Sequence, residues 1–194
     1  MASKLNITET IHSEKVKTVR LGTDTKANSG DYTDKEVGKA VKLTAESRYA
    51  LCAAGDPVEA VVSTVEGGIV DGYSWGGVVS TGYKAVTFDG LQATAGTGTV
   101  ALGDYVVTGT VVAAGTALSA PLKVCKATNQ PGTAVVSTVG AADTAAAIKT
   151  QIDAALVKVA DAQANTVFAW KVVSLGSAGT GAVGTTGIIE RVSV

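Results

Sequence analysis

Short runs of β-branched and apolar residues, separated by glycine, dominate the chain from residue 37 to residue 139. The clearest run is 58–65, Val-Glu-Ala-Val-Val-Ser-Thr-Val, and the glycine pair Gly76–Gly77 lies further along. Because β-branched residues favour strands and glycine pairs interrupt them, this pair is predicted to separate two strands. Asp89–Gly90 is predicted to be a hairpin turn. The pattern predicts a mainly β fold, a small barrel or sandwich of short, glycine-punctuated strands.

One segment has the period of an amphipathic helix. Asp143 is a suitable N-cap, and the helix is predicted over about 143–165. The apolar residues of its predicted inner face recur at spacings of three and four: Ile148, Ile152, Leu156 and Val159. A stripe one helix wide predicts that this helix packs on one face of the sheet.

Two more strands are predicted after the helix, at 167–175 and 187–194, with a mobile or draped glycine-rich segment at 176–187 between them. Because two strands alone are marginally stable, they are predicted to pair with the earlier strands. Residues 37–194 are therefore expected to form a single β-rich domain.

The first 36 residues are more polar than the rest and cannot bury enough apolar surface to fold alone. We predict that 1–36 is an extended N-terminal arm with one short strand at 15–21, which becomes ordered by lying on another surface. A disordered terminus is the alternative.

Composition argues against several classes of function. The 194 residues are 46% hydrophobic and 17% charged, with a net charge of −1, 23 glycines and one histidine, His12. A nucleic-acid ligand is not expected, because counterion release needs a basic surface. An enzyme is not expected either, since a single histidine in the arm is poorly placed for acid–base work. No apolar run approaches the ~20 residues of a membrane span, and no secretory signal is expected.

Candidate chemical sites are few, and no cofactor or metal site is predicted. The segment 176–187 lacks the lysine of a P-loop. Asp31, Asp34 and Glu36 are predicted to form a solvated acidic turn, because they lack the spacing of a calcium loop. Cys52 and Cys125 are predicted to be buried free thiols, with a disulfide as the alternative.

Five segments resemble the small phage capsid decoration proteins, also called cement or head-stabilising proteins, over about 37–112. A Gly-x-Ala-Val-type opening strand is followed by a turn and strand, a region of valines and glycines, and later Gly-x-x-Val strands. These segments are 37–43, 55–62, 67–79, 81–86 and 103–107.

The resemblance implies a structural virion protein that binds the outside of an assembled phage capsid and bridges neighbouring subunits. The implied partner is the major capsid protein, the implied self-association is a homotrimer, and the implied location is the capsid surface after assembly in the host cytoplasm. An arm can bind by adding a strand to a neighbour's sheet edge. The expected contact residues are Ile7, Ile11, Val16, Val19, Tyr73 and Trp75.

Two other readings stay open. A carbohydrate- or surface-binding module of a fibre or adhesin would use Tyr73 and Trp75 as an exposed platform, although Trp75 is expected to be a core residue. A small hydrolase with a carboxylate pair would need a concave pocket and a raised pKa on one acid.

Overall fold

The computed structural model describes residues 16–22, 32–44, 48–66, 74–91, 94–95, 99–128, 130, 140, 143–167 and 170–192. These residues form two five-stranded β-barrels and one α-helix, which confirms the predicted mainly β class with a barrel and a helix. Ile7, Ile11, His12, Asp31 and Tyr73 lie outside the described residues.

The first barrel closes through its first and last strands. Its order is β1-β3-β2-β4-β5, and β1 runs parallel to β3 but antiparallel to β5. The strands are β1 (Val16–Leu21), β2 (Ala40–Thr44), β3 (Arg48–Leu51), β4 (Ala60–Val65) and β5 (Ser74–Val79).

This closure corrects the predicted arm boundary. A short strand at 15–21 was predicted, and β1 occupies that position, but it is an integral strand of the first barrel. Residues 34–36 form a short 3₁₀ helix that contacts β4. A boundary at 36/37 would therefore cut through the barrel, because β1 needs the later strands β3 and β5 as hydrogen-bonding partners.

The second barrel contains the remaining strands. Its order is β11-β10-β8-β9-β6, and β11 closes onto β6. The short strand β7 pairs with the end of β6, at Gly90 and Leu91. The strands are β6 (Tyr83–Leu91), β7 (Thr94–Ala95), β8 (Tyr105–Thr108), β9 (Leu122–Lys126), β10 (Trp170–Ser174) and β11 (Thr186–Arg191). The prediction that the last two strands pair with earlier ones is confirmed.

Two predicted breaks lie inside strands. Gly76–Gly77 is in the middle of β5, where a Cβ on Gly76 would lie 2.7 Å from Leu21 Cδ1. Glycine there permits close approach of neighbouring strands. Asp89–Gly90 lies within β6 at a register shift against β9, and Gly90 has φ +94°. The glycine therefore serves a bulge, and β6 continues to Leu91.

The two barrels share a hydrophobic cluster. Val61 of β4 and Val58, which lies just before β4, pack in one cluster with Phe88 and Trp170 of the second barrel. Val62, the neighbour of Val61, packs in the separate core of the first barrel. Successive strand residues point to opposite faces, so β4 contributes to both cores, which explains why the adjacent residues Val61 and Val62 are both apolar.

Helix α1 (Ala145–Val167) is present where the periodicity predicted it, but its packing differs from the expectation. It contacts β8, yet Ile152 is 49% exposed, Leu156 62% and Val159 47%. Three of the four residues predicted to face the sheet therefore lie at the surface, and the fourth, Ile148, is half-buried. Within the described part of the chain, no helix has the length and apolar character needed to cross a membrane.

The glycine-rich segment 176–187 packs against its own barrel. Gly181 accepts a backbone hydrogen bond from Val100 at 3.0 Å, and Gly184 donates one to Phe88 at 2.8 Å. These bonds attach the connection between β10 and β11 to the second barrel, so the expectation of a mobile or draped segment is wrong.

Candidate functional site

A concentrated cluster of polar contacts is centred on Glu36, at the junction of the two barrels. Glu36 is fully buried. Its Oε2 accepts hydrogen bonds from the Thr33 N–H at 2.6 Å and the Thr33 hydroxyl at 3.2 Å. Its Oε1 accepts from the Gly115 N–H at 2.6 Å and from Lys39 Nζ at 3.3 Å.

Lys39 completes this junction. Its side chain is 5% exposed, and Nζ also donates to the Ala113 carbonyl at 2.9 Å. Glu36 and Lys39 immediately precede β2 of the first barrel, whereas Ala113 and Gly115 lie between β8 and β9 of the second. The ion pair therefore connects the two barrels through two hydrogen bonds to the backbone.

The hydrogen bonds keep the Glu36 carboxylate charged. Burial raises its pKa, but backbone donation from Thr33 and Gly115, together with Lys39, outweighs this effect and lowers the pKa below the ordinary value. A fully enclosed carboxylate that is charged at neutral pH is suited to holding two elements together, not to exchanging protons with a substrate.

The solvated acidic turn predicted for Asp31, Asp34 and Glu36 is wrong at Glu36. The missed signal is the sequence Thr33-Asp34-Lys35-Glu36, which matches a capping box. Both reciprocal bonds of that box are present at the short 3₁₀ helix. The burial of Glu36 could not be read from this motif, because it requires Gly115 from a distant segment.

A small cavity lies beside the junction. Its volume is about 50 Å³, and its lining includes Lys39, Cys52, Thr108, Leu118 and Leu122. Ligand pockets have volumes of about 300–1,000 Å³, so this cavity is of the size of one or two water molecules. It offers space for hydration at the interface of the barrels.

The two cysteines are free and buried, as predicted. Burial raises the pKa of the Cys52 thiol to about 12, and that of Cys125 also to about 12. The Sγ atoms donate to backbone carbonyls, that of Cys52 to Pro57 at 3.7 Å and that of Cys125 to Thr108 at 3.5 Å. A thiol with this pKa is protonated at neutral pH, so neither is poised as a nucleophile.

Two further ion pairs stabilise matching turns in the two barrels. Asp56 pairs with Lys42 at 2.6 Å, and Asp104 pairs with Lys126 at 2.8 Å. Each aspartate also accepts a 2.7 Å hydrogen bond from the N–H three residues before it. These carboxylates are committed to local backbone geometry. Among the described residues, no group of three His, Cys, Asp or Glu side chains could hold a metal ion.

Three of the expected contact residues lie on the described β1–β5 pair. Val16 is 53% exposed at the start of β1, whereas Val19 packs against the first barrel's core. Trp75 is in β5, where its backbone pairs with that of Arg20. Val19 was expected to anchor an arm on another protein, but its side chain packs against the core of its own barrel.

Trp75 bears on the glycan-binding alternative. It is half-buried, and its indole Nε1 is enclosed with no hydrogen-bond partner among the described residues. A sugar-binding platform presents an open aromatic face. Because one edge of the Trp75 ring is enclosed, only part of the ring could contact a sugar. No specific geometry in the described residues favours that alternative.

No protein-family model, curated protein or solved structure matches this chain. The resemblance to capsid decoration proteins therefore rests on the sequence segments alone, and the fold and site described above stand on their own geometry.

Proposed function

We propose that this chain is a structural virion protein that binds the outside of an assembled phage capsid and stabilises it by bridging neighbouring capsid subunits. The observation that carries the proposal is the way the buried Glu36–Lys39 pair fastens two closed barrels together. A protein that stabilises a shell mechanically needs a stiff body and contact surfaces more than it needs reactive groups.

The use of charged and reactive groups supports this role. Glu36, Asp56 and Asp104 hold turns and junctions, and the two thiols are protonated and buried. These side chains stabilise the fold.

The direction in which the chain enters the first barrel supports a role for the N-terminal residues. Among the described strands, the closed barrels leave only the two-residue β7 with a free edge, so a neighbour finds little strand here to extend. The chain enters β1 at the exposed Val16, and the preceding sequence carries the apolar residues Ile7 and Ile11. We propose that these residues bind an edge or groove of the major capsid protein, and that copies on the shell are arranged as trimers.

The proposal is tested with DNA-filled capsids prepared without this protein. We expect added protein to coat the outer surface in electron cryomicroscopy and to raise the temperature at which the capsids release DNA. Replacing both arm residues, Ile7→Asp with Ile11→Asp, should weaken binding by about tenfold or more, because two apolar anchors are lost.

The matched control introduces the same charges at neighbouring polar positions, Thr8→Asp with Thr10→Asp, and should bind like the unaltered protein. Wild-type protein that leaves the capsids bare and equally heat-sensitive would overturn the function. Equal weakening by both double variants would show that charge, and not apolar anchoring, decides the contact.

A further inference from the structure

The two barrels are built to the same plan. In each ring the first strand in chain order runs parallel to the third, and the other neighbouring pairs are antiparallel. Strands β1 to β5 therefore correspond, in order, to β6, β8, β9, β10 and β11. Even the register shifts match, between Val62 and Thr64 in β4 and between Val172 and Ser174 in β10.

The backbone hydrogen bonds of the turns before β2 and β8 agree as well. The Gly38 N–H donates to the Val62 carbonyl at 2.8 Å, and the Gly103 N–H donates to the Val172 carbonyl at 2.9 Å. Both glycines have φ of +87°, a conformation that favours glycine. Positions in one barrel can therefore be matched one to one with positions in the other.

Within the chain, an outer face of the first barrel lies against the second barrel. Partnered residues cross this face from β2 through β4 and β5 to β1, and we call them the docking row: Ala40, Val61, Val79 and Val16. Ala40 and Val61 pack in the cluster that the two barrels share. The first barrel therefore uses this row to contact another barrel.

The second barrel receives the first at the end where β8 finishes. Thr108, the last residue of β8, accepts a backbone hydrogen bond from Gly55 at 2.8 Å and donates one to Asp56 at 2.9 Å. It is only 2% exposed. The contact within the chain thus joins the docking row and turn of one barrel to the end of the next.

The second barrel has its own version of the docking row, which consists of aromatic and charged residues. The matching positions are Tyr105, Lys171, Glu190 and Tyr83. Lys171 Nζ lies 5.6 Å from the centre of the Tyr105 ring, and Tyr83 hydrogen-bonds with Glu190. Tyr83 is 41% exposed. Because tyrosine is enriched in the centres of protein interfaces, this tyrosine row is suited to a reversible contact.

The first barrel has its own version of the receiving end, at Leu43. Leu43 and Thr108 are each the fourth residue of their strands, β2 and β8. Leu43 is 50% exposed, and its N–H is accepted by the Glu59 carboxylate at 2.8 Å. A side chain here satisfies the backbone group that, in the second barrel, is bound by a turn of the first.

We propose that the tyrosine row of one copy docks on the Leu43 end of a second copy, and so repeats between copies the contact that joins the barrels within the chain. Such a contact is heterologous, because it joins two different surfaces, and it continues from copy to copy until a ring closes. A ring of three copies would form the trimer named above. The contact needs no capsid, so it does not rest on the proposed function.

The contact between copies is expected to be weaker than the contact within the chain. The connection 109–121 supplies the bonds of Ala113 and Gly115 to the first barrel, whereas the matching connection 45–47 is much shorter. Two barrels of one chain are also held at a high effective concentration, which separate copies lack. We therefore expect a dissociation constant in the micromolar range.

The two surfaces are tested separately by sedimentation of the full-length protein at about 50 μM. Tyr83→Lys alters the tyrosine row and Leu43→Lys the receiving end, so each variant alone should associate about thirtyfold or more weakly than wild type. An equal mixture should form a dimer and nothing larger, because each partner contributes one intact surface. Val183→Lys is the matched control, since Val183 is 42% exposed, and should associate like wild type.

Three results would overturn the proposal. The first is wild-type protein that stays monomeric at about 100 μM, well above the expected dissociation constant. The second is a single variant that still dimerises by itself, since this would show a contact between identical surfaces. The third is a mixture that stays monomeric although circular dichroism shows both variants to be folded, which would mean that the row and the end do not meet.

Discussion

Glu36 lies buried between the barrels because four donor groups replace the water that its carboxylate loses: two from Thr33, one from Gly115 and one from Lys39. A buried pair of this kind costs desolvation on both sides, so its net contribution to stability is small. Breaking it is different, because one partner is then left charged and enclosed.

Glu36→Gln should therefore destabilise the protein by about 3 kcal/mol, measured by urea unfolding at pH 7, because Lys39 would remain buried without its counter-charge. The matched control is Glu66→Gln at an exposed position, which should change stability by less than about 0.5 kcal/mol. Equal effects of the two substitutions would contradict the structural role of the junction.

The same pair has a defined pH dependence. The pKa of Glu36 is lowered by folding, so its contribution is complete above the ordinary value of 4.5 and is lost as the pH falls through the folded value. The stability difference between wild type and Glu36→Gln should shrink as the pH is lowered below about 4.5. A difference that stays constant down to pH 3 would show that the carboxylate is not held in its charged form.

At the scale of elements, local sequence predicted the strands better than their breaks. The β-branched run at 58–65 predicted β4, and the period of the apolar residues predicted α1. Gly76–Gly77 and Asp89–Gly90 were wrong as breaks, because glycine also occurs inside strands where backbones approach closely or bulge. Whether a glycine ends a strand or lies inside one depends on how closely the neighbouring strand packs. That strand is distant in the sequence, so the local residues do not reveal it.

The close approach at β5 can be tested by adding one methyl group. Gly76→Ala should destabilise the fold by about 1–3 kcal/mol, because its Cβ would crowd both Leu21 Cδ1 at 2.7 Å and the Thr64 carbonyl oxygen. Gly140→Ala is the control, since its Cβ would meet Asp143 at an ordinary 3.6 Å. Similar thermal stability of the two variants would contradict the close packing of β5.

The candidate site could be read from the sequence only in part. The capping box around Glu36 was visible in the residues, but its role at the junction required the backbone of Ala113 and Gly115. The exposed apolar stripe on α1 shows a second limit of sequence-based prediction. Periodicity located the apolar face correctly, yet whether that face meets the sheet or another molecule depends on where the helix is placed.

At the scale of the whole molecule, the shared cluster makes the two barrels interdependent. Backbone bonds between Gly55 and Thr108 at 2.8 Å, and between Thr108 and Asp56 at 2.9 Å, reinforce the apolar contact. Sequence reasoning predicted barrel-type structure but did not predict two barrels. The division depends on the long-range pairings β1–β5 and β6–β11, which leave no local signature.

This interdependence predicts a single unfolding transition. The chain has one tryptophan in each barrel, Trp75 in β5 and Trp170 in β10, so each barrel has its own fluorescence probe. In Trp170→Phe and in Trp75→Phe, the urea midpoint from the remaining tryptophan should coincide with that from circular dichroism of the same variant. Separate midpoints would show that the barrels unfold independently.

The order of strand pairing has a consequence for synthesis on the ribosome. The first barrel has all its strands once Val79 has emerged, whereas β6 must wait for β11, whose Thr186 pairs with Thr87. A growing chain therefore carries all the strands of the first barrel beside an open sheet whose edge is free until the last strand arrives. Unpaired strand edges are templates for aggregation, so products stopped before residue 186 should be the species that chaperones and proteases recognise first.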